Sequence, residues 1–174
     1  NYALPLQRKW VHAFEAKDSA GFKNYSGQFL QLISDMDGLL ATRKDFLLGP
    51  WIADARSRGV TSGEKALYER NARDLITLWG DANSPLHEYA NRQWSGLLND
   101  FYKQRWQKFF DMVQQSLQAN TSPDLQTFEQ NIRTWEWHWV NEQKGFPLQP
   151  VGNSISKAKE IYKSYRRIIE LAYE

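Results

Sequence analysis

The chain has 174 residues, 41% of them hydrophobic and 24% charged, which is the composition of an ordinary folded domain with enough length for a sizeable core. A formal charge of +2 gives no argument for nucleic acid or an anionic membrane surface, and no run of about 18 apolar residues is present to insert into a bilayer. The absence of cysteine excludes disulfides and thiolate metal sites but leaves the compartment open. Aromatic residues reach 14%, with eight Trp, so large rings must supply much of the buried area. The chain opens on Asn1-Tyr2-Ala3 with neither an initiator Met nor a leader peptide, which predicts a domain of a longer protein.

Apolar residues recur at helical spacing almost throughout, and no period-2 strand stands out. Leu6, Trp10, Ala13 and Phe14 mark the first face; Phe22, Tyr25, Phe29, Leu32, Ile33, Met36 and Leu40 mark a longer second one. After the break at Leu47-Leu48-Gly49-Pro50, Trp51 to Ala55 predicts a short helix ending near Gly59. Thr61 with Glu64 fits a capping box, and Tyr68, Ala72, Leu75, Ile76 and Trp79 follow in helical phase up to a stop at Gly80. Ser84-Pro85 predicts the start of the next helix, because Pro at the first helical position forfeits only an amide hydrogen that had no partner. From there Leu97, Leu98, Phe101, Tyr102, Trp106, Phe109, Phe110, Val113 and Leu117 keep one face, with Gly96 as a bend or a point of close backbone approach. Ser122-Pro123 predicts a further start, followed by Leu125, Phe128, Ile132, Trp135 and Trp139 inward. The segment from Gly145 to Asn153 is irregular, and a last helix runs from about Ser154. The fold class is therefore all-α, a single domain over residues 1–174 built as an antiparallel bundle of six to seven helices.

Independent chemistry is hard to find. His12, His87 and His138 are far apart with no partner one helical turn away, so no metal ligand set is assigned. There is no phosphate-cradling glycine loop, no nucleophile elbow and no nucleophilic Cys. Asp35 and Asp37 point to different sides of a helix, and the dipole at a helix start explains Glu88 near Asp81. No catalytic residue and no cofactor are assigned. Trp137 lies about 200° round the helix from Trp135, which suggests contact with another part of a longer chain.

The turn in TLWGDANSPLHEYANRQWSG, residues 77–96, is the best candidate for contact with a ligand. Helical phase alone turns Trp79 inward. Its place beside Gly80 at a helix end brings it to the end of the bundle, where Tyr89 should also emerge. A ring and a hydroxyl at one end are the elements of a mostly apolar pocket wall with few polar groups.

The set Phe46-Leu47-Leu48-Gly49-Pro50-Trp51, Thr77-Leu78-Trp79-Gly80, Glu88-Tyr89-Ala90-Asn91-Arg92-Gln93-Trp94-Ser95-Gly96-Leu97, Phe101-Tyr102 and Arg105-Trp106 resembles the α-helical C-terminal domain of the family 89 glycoside hydrolases, the α-N-acetylglucosaminidases. The resemblance covers essentially the whole chain and is most specific between Trp79 and Trp106. It implies a retaining hydrolase that removes terminal α-linked N-acetylglucosamine from glycans, with both catalytic carboxylates on a (β/α) barrel of the same polypeptide. It implies that this helical part packs on the barrel, is inactive alone, and lends the sugar pocket Trp79, Leu86 (with Pro85 the competing position) and Tyr89 as substrate-binding residues. A secreted, periplasmic or lysosomal location comes with the family. The alternative is a non-enzymatic helical module for protein interaction or carbohydrate binding.

Overall fold

The structure, a computed structural model, describes residues 3–81, 83–84 and 90–170, with side chains as far as 167. Seven α-helices follow one another among these residues: α1 (Ala3–Glu15), α2 (Ser19–Leu40), α3 (Leu48–Ser57), α4 (Ser62–Leu75), α5 (Lys103–Ala119), α6 (Leu125–Asn141) and α7 (Ser154–Glu170). A 3-10 turn, Lys44–Phe46, precedes α3, and a π-helical turn, Leu98–Tyr102, leads into α5. The all-α bundle expected from periodicity is what the chain forms.

Helix α2 is the hub, packed by α1, α5 and α7, while α4 lies between α3 and α6. This central position explains why Leu30, outside the predicted stripe, is buried along with Phe22 and Leu32: α2 has partners on several sides. Its start is fixed by Asp18, whose carboxylate accepts from the Gly21 amide at 2.9 Å. At α4 the predicted capping box is formed in both directions. Thr61 Oγ1 accepts from the Glu64 amide at 3.2 Å, and Glu64 Oε2 accepts from the Thr61 amide at 2.9 Å.

Two predicted helix starts move. Helix α6 is capped by Asp124, which accepts from the Thr127 amide at 3.0 Å, and not by Ser122. A carboxylate beside the first turn is favoured by the helix dipole as well as by the bond. The long helix does not run from Ser84-Pro85, because residues 90–94 are non-helical. Its first turns are organised by Asp37 on α2, whose Oδ1 accepts from the amides of Gly96 (2.8 Å) and Asn99 (3.0 Å) and whose Oδ2 accepts from Ser95 Oγ (2.9 Å). Asp35, two residues earlier, faces elsewhere and accepts from the Tyr165 hydroxyl at 2.7 Å, as the helical spacing requires. Gly96 has φ +90°, and a Cβ there would come within 3.1 Å of Phe146 and 3.3 Å of Leu48, so both the turn and the packing need glycine.

The irregular segment after α6 is tied to the bundle. Val151 N–H donates to the Ala41 carbonyl at 2.9 Å, and Phe146 packs on the core. Trp137 is half-buried against the same cluster and is therefore not the outward-facing ring that its rotation suggested.

Candidate functional site at the end of helix α4

Helix α4 stops at Leu75, four residues before Trp79. Ile76, Thr77 and Leu78 then turn into the core, with Thr77 Oγ1 donating to the Arg73 carbonyl at 2.7 Å. Helical phase would have carried Trp79 inward behind Ile76. Instead Trp79 adopts a left-handed backbone, φ +63°, and remains 42% exposed. For a bulky L-residue that conformation costs about 1–2 kcal/mol, and it persists only where surrounding bonds determine it.

Asp74 supplies two of those bonds. Its carbonyl accepts from the Trp79 amide at 2.9 Å and its Oδ1 accepts from the Gly80 amide at 3.2 Å. Beyond Gly80, Asp81 Oδ1 accepts from the Asn83 amide at 2.8 Å and the Asp81 carbonyl accepts from the Ser84 amide at 3.0 Å, a locally closed turn. A Cβ at Gly80 would strike the Ser84 side chain, so the turn is folded tightly over that position.

Asn71, Asp74, Leu75 and Trp79 line an open cleft of about 440 Å³. Burial raises the Asp74 pKa above the ordinary carboxylate value, opposed by the Gly80 amide and by Arg70. At the far end of the segment, Trp94 meets Trp51 with ring centroids 5.8 Å apart, and Trp51 Nε1 donates to the Ala72 carbonyl at 2.9 Å. Burial also raises the Tyr102 pKa, opposed by the nearby Arg92 backbone and reinforced by the Glu136 charge.

Of the three residues expected to touch sugar, Trp79 is at the bundle surface. Leu86 and Tyr89 lie outside the described residues, as do Pro85, His87 and Glu88. Asp74, and the part Asp37 plays in holding residues 95–99, escaped the sequence reading. For Asp74 a signal existed: a carboxylate in the last turn of a helix opposes the helix dipole, so it needs another reason to be there.

Residues 1–164 match the family described as alpha-N-acetylglucosaminidase (NAGLU) C-terminal domain. The chain belongs to that family. Human alpha-N-acetylglucosaminidase is 32% identical over 154 residues, covering 88% of this chain and 21% of the human protein. A family 89 glycoside hydrolase from Clostridium perfringens, solved in complex with PUGNAc, superposes with a TM-score of 0.83 at 35% identity, over 95% of this chain and 19% of that one. A Clostridium perfringens family 89 protein with two Glu-to-Gln substitutions, solved in complex with its substrate GlcNAc-alpha-1,4-galactose, gives 0.82 at 33% identity and the same coverage. The chain thus spans about a fifth of the length of these relatives, as a C-terminal domain of the α-N-acetylglucosaminidases should. Among the described residues no helix is long and apolar enough to cross a membrane.

Proposed function

We propose that residues 1–174 are the C-terminal helical domain of a retaining α-N-acetylglucosaminidase, and that the turn after α4 forms part of the wall holding the terminal sugar. The barrel of the same polypeptide supplies both catalytic carboxylates, and this domain packs on it. Trp79 offers an apolar face to the sugar ring, Tyr89 a hydroxyl to one of its substituents, and Leu86 an aliphatic contact. A wall of this kind acts by holding the anomeric carbon in line with the nucleophile. The glycan carries terminal α-linked N-acetylglucosamine, and the enzyme works in a secreted, periplasmic or lysosomal setting, as its relatives' family suggests.

The observation that carries this reading is the presentation of Trp79. A large ring is held out of the core at a backbone conformation that costs energy, within the segment where the likeness to family 89 is most specific. In the full-length enzyme, Trp79→Ala is expected to lower kcat/KM for an aryl α-N-acetylglucosaminide by about 10- to 100-fold with the unfolding midpoint retained. Unchanged kinetics would refute the wall role. The 174-residue chain alone should show no turnover of the same substrate, and hydrolysis that survives purification would refute the assignment of the chemistry to the barrel.

A further inference from the structure

We infer that Asp74 is a positioning residue for the sugar pocket, acting through Trp79; the inference rests on the reading of Trp79 as a sugar contact. One residue holds the strained turn at two successive amides. The Asp74 carbonyl takes the Trp79 N–H and its carboxylate takes the Gly80 N–H, at 2.9 and 3.2 Å. Those two bonds hold the peptide groups on either side of Trp79, and with them its φ and ψ, so the direction in which the Trp79 ring leaves the backbone follows from where Asp74 sits.

The surroundings make the assignment specific. Asp74 is the last acidic residue of α4 and faces the wrong pole of the helix dipole, so the helix itself gains nothing from a carboxylate there. Burial disfavours its charged form further. A helix that merely needed an ending would use a glycine or a polar cap without a half-buried charge. What the carboxylate contributes is an acceptor of fixed geometry, placed five residues before the ring and lining the same cleft. Arg70, one turn earlier, supplies the balancing charge.

Geometry and charge can be separated by substitution. Asp74→Asn keeps an oxygen acceptor at the same position without the charge. Asp74→Glu keeps the charge and moves the acceptor by one methylene. In the full-length enzyme the expectation is that Asp74→Asn stays within about twofold of the unsubstituted kcat/KM while Asp74→Glu falls about tenfold, both with retained unfolding midpoints. Asp74→Glu combined with Trp79→Ala should be no worse than Trp79→Ala alone, because the ring through which Asp74 acts is already gone.

Each other result is informative. If Trp79→Ala is damaging and Asp74→Glu is silent, the positioning role is overturned while the wall reading stands. If Asp74→Glu is tolerated and Asp74→Asn is damaging, the charge itself meets substrate and the inference is wrong. Additive losses in the double variant would likewise show that Asp74 acts independently of the ring. Should Trp79→Ala prove silent, it is the wall reading that fails, and the inference goes with it.

Discussion

The two halves of the bundle are held together by different chemistry. Where α1, α2 and α5 meet, rings predominate among aliphatic neighbours: Trp10, Phe22 and Phe110 pack edge to face, and Trp106 stacks on Phe110 at 5.5 Å. Where α3, α4 and α6 meet, charges are sealed inside. Glu69 and Arg73 are both fully buried, bonded to each other at 2.8 and 3.1 Å. Arg56 also pairs with Glu69, and Arg73 donates to the Lys144 carbonyl at 3.0 Å. The Arg73 guanidinium lies 4.7 Å from the Trp139 ring centroid, and where α6 meets α5 a second buried carboxylate, Glu136, pairs with Arg105. Rings in a well-packed cluster tolerate small changes of shape, whereas a buried charge tolerates no loss of its partner. The charged half is the one that carries Trp79, so the part of the molecule proposed to face sugar is also the part with the most exacting geometry.

The sharpest way to break this contrast is Arg73→Met. It leaves Glu69 buried without its main partner and should cost about 3–5 kcal/mol, read from urea unfolding followed by far-UV circular dichroism. Adding Glu69→Leu to Arg73→Met should recover part of that loss, since the one partner left over, Arg56, reaches solvent and no fully buried charge remains stranded. In the aromatic half, Phe22→Leu should cost about 1.5 kcal/mol or less. If the two halves respond equally, the distinction drawn between them is wrong.

Acid provides a weaker probe. The Glu64 and Asp124 carboxylates accept backbone amides at the starts of α4 and α6, which holds their pKa values below the ordinary 4.5 and 3.8. A depressed carboxylate contributes stability above its unfolded value and loses it as pH falls through the folded one. The chain should therefore weaken below about pH 4.5, and Glu64→Gln with Asp124→Asn should flatten that part of the stability–pH curve. Asp74 has the opposite sign: its raised pKa favours the fold in acid, an advantage lost as pH rises through the folded value. A pH profile unaffected by Glu64→Gln and Asp124→Asn would show that the caps are not what acid titrates.

What the sequence reveals tracks how local the cause is. The α4 capping box is legible because Thr61 and Glu64 are three residues apart and satisfy each other. Trp135 and Trp139 read correctly as inward because their spacing matches the helix period. The start of the long helix misleads because Ser84-Pro85 is a sound local signal, while the acceptors that organise the first turns come from Asp37, 59 residues from Gly96. Trp79 is read in phase because nothing in its own residue type announces a left-handed backbone. Its place beside Gly80 at the helix end, and the misplaced carboxylate five residues earlier, give the exception away. Trp137 shows the limit of rotation as a guide, since α6 packs against both α4 and α5 and has less free surface than a two-sided wheel supposes.

The smallest expected effect comes from the way Asp74 and Asp37 hold opposite ends of one segment. Asp74 fastens residues 79 and 80, and Asp37 fastens residues 95, 96 and 99. Inserting Gly-Ser between Ser84 and Ala90 should therefore leave the urea midpoint nearly unchanged, because lengthening a connection fixed at both ends costs only a few tenths of a kcal/mol. The bundle is then indifferent to the length of what is strung between its two carboxylate posts. Selection for a new glycan can lengthen, shorten or rewrite that span, and the folding of the rest need not be renegotiated.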